Sequence, residues 1–139
     1  MSVLDYCCCG GPKYIIFITG HKKDKDMFLE KMFGIRAKDI SFSEYEVRYK
    51  CSNLIIQMLE NDEDLKEVYD MHTKMANGVV FLRDNDIPVK TNKKALFVYL
   101  NGKSKQESEG NLIVSSIEDS SYADCKQGFN KLISKIKSE

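Results

Sequence analysis

The 139-residue chain carries no net charge: 21 Lys and Arg residues balance 21 Asp and Glu. No face-wide positive field is therefore available to hold nucleic-acid phosphates, which argues against a nucleic-acid partner. No apolar run approaches the roughly 20 residues of a membrane-spanning helix. The first residues also lack the basic start and long apolar stretch of a secretory signal, so the folded part is expected to be cytoplasmic. Internal repeats and low-complexity tracts are absent. So are spaced cysteine pairs: of five cysteines, Cys7, Cys8 and Cys9 are adjacent, while Cys51 and Cys125 are isolated. That pattern suits neither a disulfide framework nor a zinc site, and it implies a reducing compartment.

With 42% apolar and 30% charged residues, the chain has enough hydrocarbon for one core. The expected organisation is a flexible leader, 1–12, followed by a single domain, 13–139. Tyr14 to Thr19 is a continuous apolar run, the pattern of a strand covered on both faces. Gly20 ends it, and the polar loop Gly20 to Asp26 leads to a helical stripe of Phe28, Leu29, Met32 and Phe33. Asp24 or Asp26 is the expected N-cap and Gly34 the stop. Tyr45, Val47 and Tyr49 alternate with charged residues before a short Lys50-Cys51-Ser52 connection and the run Asn53 to Leu59, predicting an antiparallel hairpin whose first strand lies near an edge. Leu65, Val68, Tyr69 and His72 predict a second helix ending at Asn77-Gly78. Val79 to Leu82, Ala95 to Leu100 and Leu112 to Val114 predict three more central strands. Phe129, Leu132, Ile133 and Ile136 predict a C-terminal helix.

This order implies a three-layer α/β sandwich with a mostly parallel sheet of about six strands and one antiparallel hairpin. Ligands in such sheets sit at the carboxyl ends of the strands, so the loop after the first strand is the place to look for phosphate chemistry. The connections DNDIPVKTNKK and NGKSKQESEG are too short for full helical crossovers. Two crossover helices are expected to be shortened or missing. One side of the strands at Val79, Phe81, Phe97 and Val98 would then be bare and would mark an interface for a protein partner or a second copy.

The stretch from Ile40 to Asp84 resembles the Arf family of small GTPases. It aligns without a gap to the family's switch I, interswitch hairpin, switch II helix and fourth strand, with Phe42, Val47, Tyr49, Lys50, Gly78, Phe81 and Asp84 on typical family residues. ALFVYLNGKS resembles the strand and base-reading motif, and LIVSSIEDSS followed by GFNKLISKI resembles the last strand, its loop and the final helix. The resemblance implies a small GTPase (P-loop) fold, with GTP or GDP and magnesium if the site works.

The chemical motifs depart from the family's pattern. A P-loop needs two glycines, a Lys for the outer phosphates and a Ser or Thr hydroxyl on magnesium. In GHKKDKDM, Gly20 supplies the first glycine. Without a gap, Lys25 falls on the second glycine, Asp26 on the lysine and Met27 on the hydroxyl; with one deletion Lys25 serves as the lysine and Asp26 takes the hydroxyl position. The family's metal-binding Asp falls on Met58, which cannot bind a hard cation, and Asp62 takes the place of the water-orienting glutamine. In the base-reading motif Asn101 is retained, Lys103 is displaced by one and Ser104 replaces the carboxylate.

Lys22, Lys23 and Lys25, interleaved with Asp24 and Asp26, are expected to form a solvated run of mixed charge rather than a working cradle. His21 and His72 have no partner that points to catalysis, and Cys51 and Cys125 are expected to be a turn residue and a helix residue. Cys7, Cys8 and Cys9 are either an acylation cluster or part of an incidental leader. Two or three acyl chains would anchor the protein where one binds only marginally. The expectation is a membrane-associated binding or regulatory module in vesicle trafficking, without GTP hydrolysis or cofactor, peripheral on an internal membrane. The alternatives are an active GTPase with a degenerate P-loop and a structural subunit with no membrane role.

Overall fold

Tyr14 to Thr19 has the apolar character of a strand buried on both faces, and the chain places it in the middle of its sheet. In the computed structural model, which describes residues 11–63, 66–83, 93–100 and 108–138, the elements follow the expected order. They are β1 (Lys13–Thr19), α1 (Lys22–Phe33), β2 (Phe42–Tyr49), β3 (Ser52–Leu59), α2 (Lys66–Met75), β4 (Gly78–Arg83), β5 (Lys94–Tyr99), β6 (Leu112–Ser116) and α3 (Ala123–Lys137). The six strands form one sheet in the order β2-β3-β1-β4-β5-β6, with β2 at one edge and β6 at the other. The expectation of a central strand at Leu112 to Val114 is corrected, since in β6 only alternate residues, Ile113 and Ser115, are buried. Only the β2–β3 pair is antiparallel. This is a mostly parallel α/β sandwich of the small GTPase type, with three helices among the described residues.

Alternation along β1 divides its side chains between two clusters. Ile16 and Ile18 face α1 and α3, meeting Phe28, Leu29, Phe129 and Leu132; Phe17 faces α2 with Leu59, Ala76 and Val79. The first cluster is the larger, and each fully buried Leu, Ile or Phe in it contributes roughly 1.5–3 kcal/mol. α2 is held more loosely: none of its residues is fully buried. Val68 and Tyr69 pack from its sheet-facing side, and half-buried His72 stacks between Phe17 and Phe42 at ring-centroid distances of 5.7 and 4.6 Å.

Local sequence explains the joints. Gly34 ends α1 in the left-handed conformation at φ 68° and donates its N–H to Glu30 O. Asn77 continues the β1–β4 pairing from the strand's outer end, donating its N–H to Ile15 O (2.8 Å) while its Oδ1 accepts the Ile15 N–H (2.7 Å). Lys50 and Cys51 form the two-residue hairpin turn with φ of 45° and 61°, the twist-matched geometry that Asn-Gly usually supplies. Cys51 is thus the turn residue expected, and Cys125 lies buried in α3.

Two further expectations are corrected. The polar segment after β1 is mostly helix: α1 starts at Lys22, so Asp24 and Asp26 lie inside it and His21 takes the cap position without a side-chain cap bond. Nor is the sheet bare at Val79, Phe97 and Val98. Val98 faces the large cluster, Val79 the α2 cluster, and Phe97, only 2% exposed, packs on Tyr99 with ring centroids 4.9 Å apart. Phe81 is half-buried against the α2 cluster. These strands carry apolar residues on both faces because both faces are covered within the chain. The expected shortened crossovers fall mainly on residues 84–92 and 101–107, outside the described residues.

Candidate functional site

β1 is the point at which the sheet's connections diverge: β3 lies on one side of it and β4 on the other. The crevice past its carboxyl end is where such a sheet binds ligands. Only Gly20 and His21 separate β1 from α1, whereas a Gly-x4-Gly-Lys-Ser/Thr cradle needs several loop residues to wrap a phosphate in backbone N–H groups. Gly20 has φ +146°, and a Cβ on it would lie 2.9 Å from the Leu82 carbonyl oxygen and 3.0 Å from Leu82 Cβ. Glycine is required here because the backbone turns tightly against the end of β4.

One helical turn later, Lys25 is wholly buried, with a side-chain exposure of 0%. A buried ammonium carries a large desolvation cost unless it is both paired and hydrogen-bonded. Both conditions are met. Lys25 Nζ donates to Leu59 O at 2.5 Å and to Asp62 Oδ1 at 2.9 Å. The other carboxylate oxygen, Asp62 Oδ2, accepts the Gly20 backbone N–H at 2.7 Å. One carboxylate thus bridges the amide that follows β1 and the lysine of α1, with its side chain only 13% exposed. The expectation of a solvated Lys25 is corrected: a long side chain in the first turn reached a carbonyl and a carboxylate delivered by the end of β3.

The neighbouring charges behave differently. Lys22 Nζ bonds Asp26 Oδ2 at 2.8 Å and Asp39 Oδ1 at 2.5 Å. These bonds, Asp26 first, push the Lys22 pKa above its ordinary value, and Lys22 in turn lowers that of Asp39. Asp26 therefore serves a half-exposed ion pair with Lys22. The segment before β2 is tied down by the Lys38 N–H, which donates to Tyr45 Oη at 2.8 Å, and by the Glu60 N–H, which donates to Ser41 O at 2.8 Å. Met58 is buried in the large cluster. Among the described residues no three His, Cys, Asp or Glu side chains converge as metal ligands.

Past β5 and β6 lies an open cleft of about 750 Å³, lined by Met27, Glu30, Leu100, Ile117, Asp119 and Tyr122 among others. Burial, followed by the nearby Cys125 and Asp24, pushes the Tyr122 phenol up to about 12. Asn101 and Lys103, the base-reading candidates, lie outside the described residues, as do Cys7, Cys8 and Cys9. Of the candidates in the phosphate region, the fold brings Gly20 and Lys25 together. It adds Asp62, which in the sequence stands only on a glutamine position, and the Leu59 carbonyl. The available signal was the acidic run Glu60 to Asp64 directly after a buried strand, opposite a lysine three residues inside a helix.

No protein-family model and no curated protein matches the chain. Among solved structures, a chain of the GTP-bound T. brucei IFT22/74/81 crystal structure superposes with a TM-score of 0.65 at 10% sequence identity, over 92% of this chain and 96% of that one. At that identity the likeness is one of fold, and it is to a small GTPase.

Proposed function

We propose that this small GTPase-fold chain is an Arf-like protein that works as a binding or regulatory module in vesicle trafficking, without GTP hydrolysis and without a bound cofactor. The observation that carries the reading is the Asp62 carboxylate, which engages both the Gly20 amide and the Lys25 ammonium. Those are the two groups that this fold would otherwise turn toward phosphate. The Ile40 to Asp84 resemblance supports the Arf-like assignment. A protein partner is supported by the fold's use in T. brucei within an IFT22/74/81 assembly. Membrane association at a cytoplasmic surface rests on Cys7, Cys8 and Cys9, whose thiols would carry acyl chains.

Calorimetric titration of nucleotide-stripped protein with GTP and GDP in magnesium tests the first part. No saturable heat is expected, because several charge-assisted contacts worth roughly 1.5–3 kcal/mol each have no partner. Stoichiometric binding would instead identify a GTPase with a degenerate P-loop. For the membrane arm, changing Cys7, Cys8 and Cys9 together to Ser is expected to move the protein from the membrane pellet to the soluble fraction; retention in the pellet would place the anchor elsewhere.

A further inference from the structure

We propose that the Gly20 amide and the Lys25 ammonium form an oxyanion seat that the chain fills with its own Asp62 carboxylate, and that this contact latches the entry of α2 to the end of β1. The proposal deepens the reading above and rests on it in one respect, namely that the wild-type seat holds no nucleotide.

The geometry is that of a built site. Lys25 is completely buried and its ammonium has a carbonyl partner in Leu59, 2.5 Å away, in addition to Asp62. The Gly20 N–H donates to the same carboxylate, 2.7 Å from Oδ2, from a backbone packed so closely on Leu82 that a Cβ at Gly20 would lie 2.9 Å from the Leu82 carbonyl oxygen. A carboxylate with one oxygen on a backbone amide and the other on an ammonium has its charge matched and both oxygens used. Residue 62 is separated from Gly20 by 42 positions, so only the fold makes the pairing.

The mechanical consequence lies in α2. This helix buries no residue fully, and it follows Asp62 by three residues, starting at Lys66. Holding Asp62 restricts the directions from which α2 can approach the sheet, supplementing the contacts of Val68, Tyr69 and His72. Here a side chain of the protein itself supplies the negative charge between the first strand and the segment after the third.

The seat is tested by emptying it and refilling it. Asp62→Ala removes only the carboxyl group, and formate replaces the missing atoms. The variant is expected to lose about 10 °C in Tm. Formate, against chloride at equal ionic strength, should restore about 5 °C at ten times its dissociation constant. The Gly20 amide proton should move upfield in the variant and return with formate. Wild type, whose seat is full, and Asp62→Ala/Lys25→Met, which lacks the cation, should show no formate-specific response. Unchanged Tm and Gly20 shift in Asp62→Ala, or an equal formate effect in all three proteins, would overturn the seat. Should Asp62→Ala not fold, Asp62→Asn keeps the shape without the charge, and its Gly20 amide must still shift upfield from wild type; an unmoved resonance overturns the proposal. Tight GTP binding by wild type would remove the functional reading, whereas a failed formate rescue without GTP binding would remove only the seat.

Discussion

The first turns of α1 and α3 follow β1 and β6 onto the same face of the sheet, and at corresponding depth they bury opposite chemistry. In α1 the buried group is the Lys25 ammonium, matched by Leu59 O and Asp62. In α3 it is the Cys125 thiol, set among hydrocarbon from Phe129 and the strands with the Ser115 hydroxyl beside it. Burial, then the nearby Asp124 carboxylate, pushes that thiol up to about 12, so it stays neutral. Asp124 itself turns outward to accept the Ser116 N–H at 2.8 Å. The difference teaches that charge is kept in this core only where two acceptors arrive from another part of the chain. At the same depth in α3 stands a thiol that burial keeps neutral.

The comparison breaks most severely at the charged end. Asp62→Ala leaves a buried, half-matched cation and should cost about 3–5 kcal/mol in urea unfolding. Replacing both partners, Lys25→Met with Asp62→Leu, should recover most of that loss, since an apolar pair needs no solvation; a double variant as unstable as the single one would mean that packing, not charge, holds the corner. At the apolar end, a Cβ on Gly128 would lie 2.8 Å from Leu96 Cδ1 and 3.0 Å from Ser115 Cβ. Gly128→Val should therefore cost about 1–3 kcal/mol by overpacking, visible as a lowered urea midpoint.

The thiol sharpens the contrast through pH. Because burial holds the folded pKa of Cys125 at about 12, above its ordinary value of 9.0, the folded state keeps a proton that the unfolded state gives up. Its contribution is complete below pH 9 and is lost as pH rises toward 12, and Tyr49 and Tyr122, both raised by burial, act in the same direction. Unfolding midpoints should fall across that window. Peptide mapping after brief alkylation at neutral pH should find half-buried Cys51 modified and Cys125 protected. Last comes Lys22, three residues before Lys25. Its ion pair with Asp26 is half-exposed and that with Asp39 is open to solvent, so Lys22→Ala should leave the urea midpoint nearly unchanged; a loss rivalling that of Asp62→Ala would erase the distinction between the two lysines.

The elements were legible where hydrocarbon spacing alone decides them. YIIFIT, VVFL and ALFVYL read as central strands and became β1, β4 and β5, and the alternation through Tyr45, Val47 and Tyr49 correctly marked an edge strand. The stretch 20–26 was misread because HKKDKD carries no apolar period, and its helix is supported by a lysine anchored elsewhere rather than by a local cap. The bare sheet face was misjudged for a related reason. Loop length limits what a connection can contain, but the burial of Phe97 and Val98 depends on every segment that crosses them.

By itself the sequence determined the layered α/β architecture and the antiparallel hairpin, because these follow from the order and periodicity of neighbouring side chains. The tertiary structure alone decided that Lys25 is buried, that Asp62 answers it and that Gly20 N–H shares the same carboxylate. The physical reason is range: a charge can be buried only where its partners converge, and Gly20, Lys25, Leu59 and Asp62 converge only after β1 and β3 have paired in parallel register.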